Sequence, residues 1–524
     1  MGGQVQPMFD LNALSHESLQ KMVDATKAAF QPGNRTVPIV PGLDGSQAAG
    51  LPTALALTGY DLSGPAQSLV PVITPLRNRL ARRKGNIGSA AFHKMQILGI
   101  NTANVKGSVA FGKRNTGITY TTRPMSWTYK SVGLDDVVQM EAVWQGQDFE
   151  DVRARSALSL LWSVMIQQEA LYLGANCTNG ITVGTVTLDD SATGGITSAT
   201  GITVKVVALT LQGYLARTVN SSGVTTAILT ETERSASSST TDNANLSTKR
   251  CKASWTAVDG AFAYAVFAGA VGGNITLQDV VTVNYFDSGA SAALSTGGQN
   301  FTAISGGTAG DVDVSQDANA FDGIIPQIFA ANNTAYGGVY YKPYIKDMNN
   351  AVLSSTGNGR VTQLDLLNQY LWDTWRIGPT LYIMNSQQAS DITDLLTLGT
   401  GTGLGFRINL PMGTDQKGMT GGFVYDGYIN RFTSSLTPGS PDRVPFLVHP
   451  NMPPGMIVAI TEKLPFPKTD IDTPWEVRFL QDYADFEWAM TQRQYEHGIY
   501  AHETLVGYAA QFSGIIRGIK AGTS

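Results

Sequence analysis

Residues 149–173 read FEDVRARSALSLLWSVMIQQEALYL, and this stretch decides the fold. Leu158, Leu161, Met165 and Leu171, joined by Ala154 and Ala157, recur at helical spacing and mark one apolar stripe. Asp148 stands where an N-cap belongs, Glu150 and Asp151 oppose the positive end of the helix dipole, and Gly174 follows as a C′ residue. At the usual rise per residue such a helix runs for about 37 Å. The spacing therefore predicts one long, half-buried helix around which the rest of the chain is arranged.

Upstream, residues 91–132 alternate apolar and polar side chains around Val109-Ala110-Phe111-Gly112 and Ile118-Thr119-Tyr120, with Lys113 to Gly117 suited to a turn. This reads as a long β-hairpin. Before it, Leu11, Leu14, Leu19, Met22, Val23 and Phe30 give a short amphipathic helix ending near Pro32. VPIVPGLDGSQAAGLP and LVPVITPL then exclude regular helix, because each proline removes a donor and disfavours helix in the residue before it. An extended arm of this kind must find its contacts elsewhere.

Downstream, between 178 and 318, the composition turns to Thr, Ser, Gly, Val and Ala. Short β-type runs (ITVKVVALTL, TTAILTETE, CKASWTAV, YAVFAGA, VVTVNYF) are separated by polar turns, the pattern of a small sandwich. Trp255 on one strand and Tyr264 and Val266 on the next should face a common core. From 319 onward helix and strand alternate. Thr362 is placed to cap a helix with Asp365 at its third position and Leu364, Leu367, Leu371 and Trp375 on its apolar face. PTLYIM (379–384) reads as a buried strand, Ser386 to Leu396 as a helix, and VPFLVH, GMIVAI, WEVRFL, Tyr495 to Tyr508 and GIIRGI as strands.

Composition narrows the function classes. The 524 residues suffice for two to four domains. Mean hydropathy is near zero (−0.04) and 43% of residues are hydrophobic, so a packed chain is expected. Only 15% are charged, which suits subunits whose faces are covered by neighbours. A net charge of −5 offers no general attraction to phosphates. The N-terminus lacks the basic start and apolar run of a secretory signal, and no apolar stretch reaches the length of a membrane span, so a soluble cytoplasmic origin and no membrane partner are expected. Cys177 and Cys251 lack zinc spacing and read as reduced thiols, with a pair across the base of the 178–318 segment as the alternative.

Taken in order, arm, hairpin, long helix, mixed module and terminal strands resemble the Hong Kong 97-type capsid fold of tailed bacteriophages. Phe321-Asp322-Gly323-Ile324 where the fold resumes, PTLYIMNSQQASDITDLL, VPFLVHPNMPPGMIVAI as a proline-flanked hairpin, and the closing YEHGIYAHETLVGYAAQFSGIIRGI carry the resemblance. SWTAVDGAFAYAVF resembles the central strands of a fibronectin type III or immunoglobulin-like domain, and YLARTVNSSGVTT its later hairpin, although it precedes the Trp strand. The resemblance implies an α+β chain with an N-terminal arm (1–90), an extended β-hairpin loop (91–132), a peripheral domain with a spine helix (133–177), an inserted all-β Ig-like sandwich (178–318), and an axial domain with the remainder of the peripheral domain (319–524). It implies a major capsid protein that self-assembles into pentamers and hexamers of an icosahedral head around double-stranded DNA, made in the host cytoplasm and ending in the virion. Separate scaffolding, portal and decoration proteins are the implied partners. An encapsulin-like compartment subunit and an Ig-domain adhesin or glycan-binding protein are the alternative readings.

No catalytic residue, cofactor or metal site is expected. The basic run Arg77, Arg79, Arg82, Arg83 and Lys84 reads as an inter-subunit surface pairing with a neighbour's carboxylates, with packaged DNA or a solvated arm as alternatives. Phe111, Lys113 and Arg114 at the hairpin join that expected interface. His497 and His502, five apart, do not make a metal pair. Asp311, Asp313 and Asp317 imitate a calcium loop, but Gln316 sits where an EF-hand needs glycine, so a polar linker is expected. GTGTGLG (399–405) lacks the third glycine of a dinucleotide loop and reads as a hinge. Some members of the family crosslink a loop lysine to a neighbour's asparagine. Lys106, Lys113 and Lys130 lie in or near the hairpin, yet no motif supplies the partners and no crosslinking is expected.

Overall fold

The computed structural model describes residues 71–523, apart from 86–87, 102–107, 116, 147–150, 190–193, 195–200, 222–223, 229–237, 243–248, 290–293, 302–312, 333–334, 337–338, 341, 356–359, 399–425, 433–442, 465–470 and 472. The expected N-terminal helix, most of the arm and the 399–405 hinge lie outside the described residues. The chain is α+β, with more strand than helix.

A turn at 75–79 leads into β1 (Ala81–Lys84). The hairpin follows as β2 (Ala91–Asn101) and β3 (Thr119–Thr128), paired antiparallel from Ala91↔Thr128 to Asn101↔Thr119 with a bulge between Ile97 and Gly99. Its strands lie closer to its base than the alternation suggested. Val109 to Gly112 belong to no strand, and the chain turns there through Lys113 N donating to Ala110 O and Gly112 at φ +78°. After β4 (Lys130–Gln139) and α1 (Met140–Gly146) comes the long helix, α2 (Val152–Gly174).

Helix α2 differs from expectation at both ends and on its buried face. Its cap is Asp151, three residues beyond the expected Asp148, with Oδ1 accepting from Arg153 N (3.1 Å) and Ala154 N (3.2 Å). Gly174 is the last helical residue and not a left-handed C′; Ala175 ends the helix at φ −72°. The glycine is required by packing, since a Cβ would meet Phe262 Cε2 at 2.8 Å, and a Cβ on Gly323 would in turn lie 2.6 Å from Gly174 N. The buried face carries Ser156, Leu160, Val164, Gln168, Glu169, Tyr172 and Leu173, while Leu158 is exposed. The stripe expected from leucines alone is thus rotated, because polar side chains occupy the inner face and find fixed partners there.

Glu169 is the clearest case. Its two oxygens accept from Leu76 N (2.8 Å) and Arg77 N (2.7 Å), and His449 Nε2 lies 2.6 Å from Oε1. His449 Nδ1 in turn accepts from Asn451 N at 3.1 Å, so the imidazole proton resides on Nε2 and points at the carboxylate. Both side chains are buried. One carboxylate thereby joins the strand-leading turn, the spine and the C-terminal module. A second, Glu503, accepts from Tyr172 OH (2.7 Å) and Gln168 Nε2 (2.9 Å) and pairs with Arg82 (2.9 Å). Burial raises the Glu503 carboxyl above its ordinary range, with Arg82 pulling it back.

The described residues of 178–318 include two facing sheets besides a small ribbon of Thr218–Val219 with Thr225–Ala227. The strands are β5 (Val186–Asp189), β6 (Ile202–Leu209), β7 (Ser238–Asp242), β8 (Lys252–Trp255), β9 (Ala263–Ala270), β10 (Thr276–Val281) and β11 (Tyr285–Asp287). They order as β7-β6-β9-β10 and β11-β8-β5. Trp255 and Tyr264 come from opposite sheets and meet in the shared core with rings 5.2 Å apart, where Val266 joins them. Alternate residues of β9 serve two cores: Tyr264, Val266 and Ala268 face the other sheet, while Ala263, Ala265 and Phe267 pack with Leu277, Ile228 and Phe301. Cys177 and Cys251 are both free and buried, and burial pushes each thiol up to about 12.

The segment leaves and rejoins the body at one point. Asn176 bridges Asp322, and the Asp322 carboxylate accepts from Thr178 N (3.1 Å) and Oγ1 (2.9 Å). Arg517 clamps the far side, donating to Val258 O (2.7 Å), Asp259 (2.7 Å) and Asp347 while its guanidinium lies over Phe329. Leu211 and Phe262 also enter the core of the body.

The C-terminal part contributes α3 (Ile324–Asn332), β12 (Tyr344–Leu353), α4 (Thr362–Trp375), β13 (Leu381–Met384), α5 (Ser386–Leu398), β14 (Gly427–Ile429), β15 (Arg443–Val448), β16 (Ile457–Ile460), β17 (Trp475–Glu487), β18 (Gln494–Gly507) and β19 (Gly514–Thr523). Six of these strands order as β12-β19-β16-β13-β15-β14. Leu381 and Ile383 of β13 face α3, and Tyr382 and Met384 face α4 and α5, so the unbroken apolar runs LYIM and IVAI are strands covered on both sides. Two expectations fail here. VPFLVH and GMIVAI do not pair as a hairpin, because β13 lies between them, parallel to one and antiparallel to the other. Thr362 is the first helical residue of α4, and Val361 holds the cap position without a side-chain bond.

Two outcomes test this frame. Glu169→Ala should cost about 3–5 kcal/mol in urea unfolding, because it strands two buried N–H groups and an imidazole; a loss under about 1 kcal/mol would show that the carboxylate does not hold these segments together. Burial raises the Asp322 carboxyl, with the Thr178 bonds pulling the other way. Its ionisation therefore subtracts stability as pH rises, and Asp322→Asn should gain in melting temperature relative to the parent as pH rises above the ordinary Asp range of about 4. A difference that stays flat with pH would contradict the assignment.

Candidate assembly interface

The hairpin has an inner and an outer face. Phe92, Lys94 and Gln96 with Trp127, Met125 and Arg123 turn inward, and Phe92 and Trp127 pack around Tyr508. Gln96 Nε2 donates to Tyr508 O at 2.8 Å. Met95 and Ile97 point the other way and are 63% and 64% exposed, beside exposed Pro124 and Thr122. At the turn Phe111 is fully exposed, with Lys113 and Arg114 exposed next to it. An apolar strip on a two-stranded ribbon gains nothing from solvent, and ribbons of this size need further packing to be stable.

A second surface lies on the sheet ordered β1-β17-β18-β4. Its inner face packs Leu134 and Ile499 against Leu160 and Val164 of α2. Its outer face is covered by the hairpin's Phe92 and Trp127 at the end that holds Val506, and Phe486 is exposed at the other end. Cross-strand rows place Tyr500 beside Gly133, Phe486 beside Gly498 and Asp135, and Glu496 beside Val137. The Tyr500 ring lies flat over the strands because its two neighbours are glycines, where a Cβ would collide with the ring, and its hydroxyl donates to Asp135 Oδ1 at 2.7 Å. Phe486 and Trp488 stack at 6.3 Å and are 45% and 46% exposed. An aromatic strip edged by carboxylates has the composition of an interface core.

The expected basic surface is largely consumed inside the chain. Arg77 donates to Gln168 (3.1 Å) and Tyr483 (2.8 Å), and Arg82 holds Asp482 (2.7 Å), Glu503 and Tyr172. These two partly buried arginines brace α2 against β17 within the chain. Arg79 pairs with Glu462 at 3.2 Å but stays half-exposed, as does Arg83, and Lys84 is exposed. His497 lies 3.3 Å from Ser156 Oγ, which also bonds Asp136, while His502 faces the opposite side of β18. Asp313 closes a local turn onto Ser315, and Asp317 N donates to Asn176 at the base of the 178–318 segment; Asp311 and Lys106 lie outside the described residues. Lys130 Nζ donates to Ala318 O. Among the described residues no group of three or more His, Cys, Asp or Glu side chains converges on a metal position.

The aromatic face was not foreseen. Its signal was the alternation of Ala484, Phe486 and Trp488 with acidic residues in DYADFEW (482–488), which places large aromatics on the face that the helix does not cover.

No family model matches this chain, and no curated protein does. Solved structures do. It is similar to the capsid of the native GTA particle (6% identity, 90% of this chain and all of that one, TM-score 0.39) and to the capsid of Myoviridae phage XM1 (7% identity, 90% and 99%, TM-score 0.37). It is similar also to the SrpI encapsulin of Synechococcus elongatus (8% identity, 87% and 93%, TM-score 0.33). Two of the three are capsids and the third is an encapsulin.

Both surfaces should be dispensable to the isolated chain. Ile97→Ser and the pair Phe486→Ser with Trp488→Ser should leave urea stability within about 0.5 kcal/mol per substitution, while weakening self-association in sedimentation velocity. A loss of about 2 kcal/mol or more in the dispersed protein would assign these side chains to the subunit's own packing.

Proposed function

We propose that the chain is the major capsid protein of a tailed bacteriophage, a non-enzymatic subunit forming pentamers and hexamers of an icosahedral head around double-stranded DNA. The observation that carries this reading is the pair of unlike apolar surfaces. The hairpin strip and the aromatic sheet face are both exposed on one copy, and a ribbon surface that meets a different surface on the next copy makes a head-to-tail contact. Such contacts close into rings, and rings of five and six tile a shell. In this reading residues 91–132 are the extended loop, 133–177 the peripheral domain with its spine helix, and 319–524 the axial domain with the rest of the peripheral one. The arm (1–90), with Arg79, Arg83 and Lys84 at its end, and Phe111, Lys113 and Arg114 contact neighbouring copies. Residues 178–318 form an immunoglobulin-like domain, supported by the Trp255–Tyr264 core between two sheets and by strands from both. Scaffolding, portal and decoration proteins are separate chains, and DNA meets the inner face without sequence preference.

Electron microscopy of the expressed full chain is the test. Closed particles of uniform diameter that contain nucleic acid when made in an infected host are expected, and removal of residues 102–118 should abolish them. Dispersed monomers under all conditions, or normal shells without the hairpin turn, would overturn the reading. Particles filled with protein cargo in place of nucleic acid would shift it to an encapsulin-like compartment.

A further inference from the structure

At the base of the hairpin, two arginines pair with one buried carboxylate and a lysine lines the same pocket. Glu476 is fully buried on β17 and pairs with Arg478 and, at 3.5 Å, with Arg83 of β1; it also accepts from Tyr508 OH. Lys94 of β2 reaches the same place, its ammonium 5.0 Å from the centre of the Tyr508 ring. Arg478 is held from behind by Lys84 O (3.2 Å) and by the Phe92 ring, so its guanidinium cannot swing away. Among the described residues that line this place one carboxylate stands beside three cations, and the Thr473 hydroxyl, buried there, has no partner among them. The group lines a pocket of about 20 Å³, room for one or two oxygen-sized atoms.

We propose that this pocket is a receptor for a carboxylate side chain of a second copy of the chain. It rests on the shell reading and adds a defined polar lock to it. The excess of positive over negative charge among the described lining residues favours an incoming anion, and the Arg478 guanidinium supplies directional N–H donors for its oxygens. The size of the pocket admits the end of an Asp or Glu more readily than a phosphodiester flanked by two sugars. The protein itself supplies such groups in excess, with 41 acidic against 36 basic residues. Lys94 rides on the hairpin and Arg83 on β1, so the lock is assembled only when hairpin, β1 and β17 are in their places.

The test couples amines to contacting carboxylates with a zero-length carbodiimide in particles assembled from equal parts of ¹⁴N- and ¹⁵N-labelled full chain, followed by mass spectrometry. Lys94 should link to an Asp or Glu in mixed-isotope pairs in particles and not in dispersed subunits. Lys94→Arg should lose the link yet still assemble, and Lys94→Glu, folded by its unchanged melting temperature, should lower particle yield about tenfold. Particles that form normally with Lys94 linked only to Glu476 of its own chain, or not at all, would overturn the proposal. So would occupancy of the pocket by DNA, read as protection of Lys94 by added duplex alone. Failure to form any particle would fell the shell reading, and this site with it.

Discussion

A carboxylate removed from water must be held by fixed donors or give up its charge, and this constraint organises the chain. Glu169 projects from the long helix and Glu503 from β18 against it, and their partners come from the turn before β1, from β1 itself, from His449 after β15 and from the helix. Each bond fixes a segment distant in sequence to the one element long enough to touch them all. Apolar packing supplies the bulk of the stabilisation, but it is not directional; the buried acids specify which segments meet. The long helix is a spine in this physical sense.

Rigidity at the spine has a consequence at the surface. Arg77 and Arg82 are spent on bracing the frame and leave little positive charge for a neighbour on that side, whereas Arg83, one residue along β1 and pointing to the opposite face, is available at the hairpin base. The hairpin therefore leaves the body from a fixed platform, with its apolar strip exposed. The 178–318 segment is equally constrained, by the Asn176–Asp322 bridge on one side and Arg517 on the other.

Much of this order was readable from residue types. Binary pattern located the helix, the hairpin and the doubly covered strands, because apolar periodicity reports directly on which faces meet a core. Leu364, Leu367 and Leu371 of α4 and the LYIM strand are examples. The inner face of α2 was not readable that way: Gln168 and Glu169 look like solvent residues until Leu76, Arg77 and His449 are placed around them, and those partners lie far away in the chain. The same distance effect hid the fate of Arg77 and Arg82, which a local view sees only as a basic run. Gly174 misled for a related reason, since a glycine after a helical stretch suggests a left-handed cap and here makes room for Phe262. The aromatic sheet face escaped notice because a strand with large residues on both sides looks buried, and only the one-sided position of the helix shows that Phe486 and Trp488 remain outside.

The central claim is that the exposed hairpin and the aromatic sheet face are completed by other copies of the same chain. Hydrogen–deuterium exchange, compared between dispersed subunits and isolated particles, reads this at the level of individual segments. The account predicts that amides across 91–101 and 119–128 and at the 484–488 end of β17 become protected on particle formation, while those of α2 change little. Full protection of these segments already in the lone subunit, with no further slowing in particles, would contradict it.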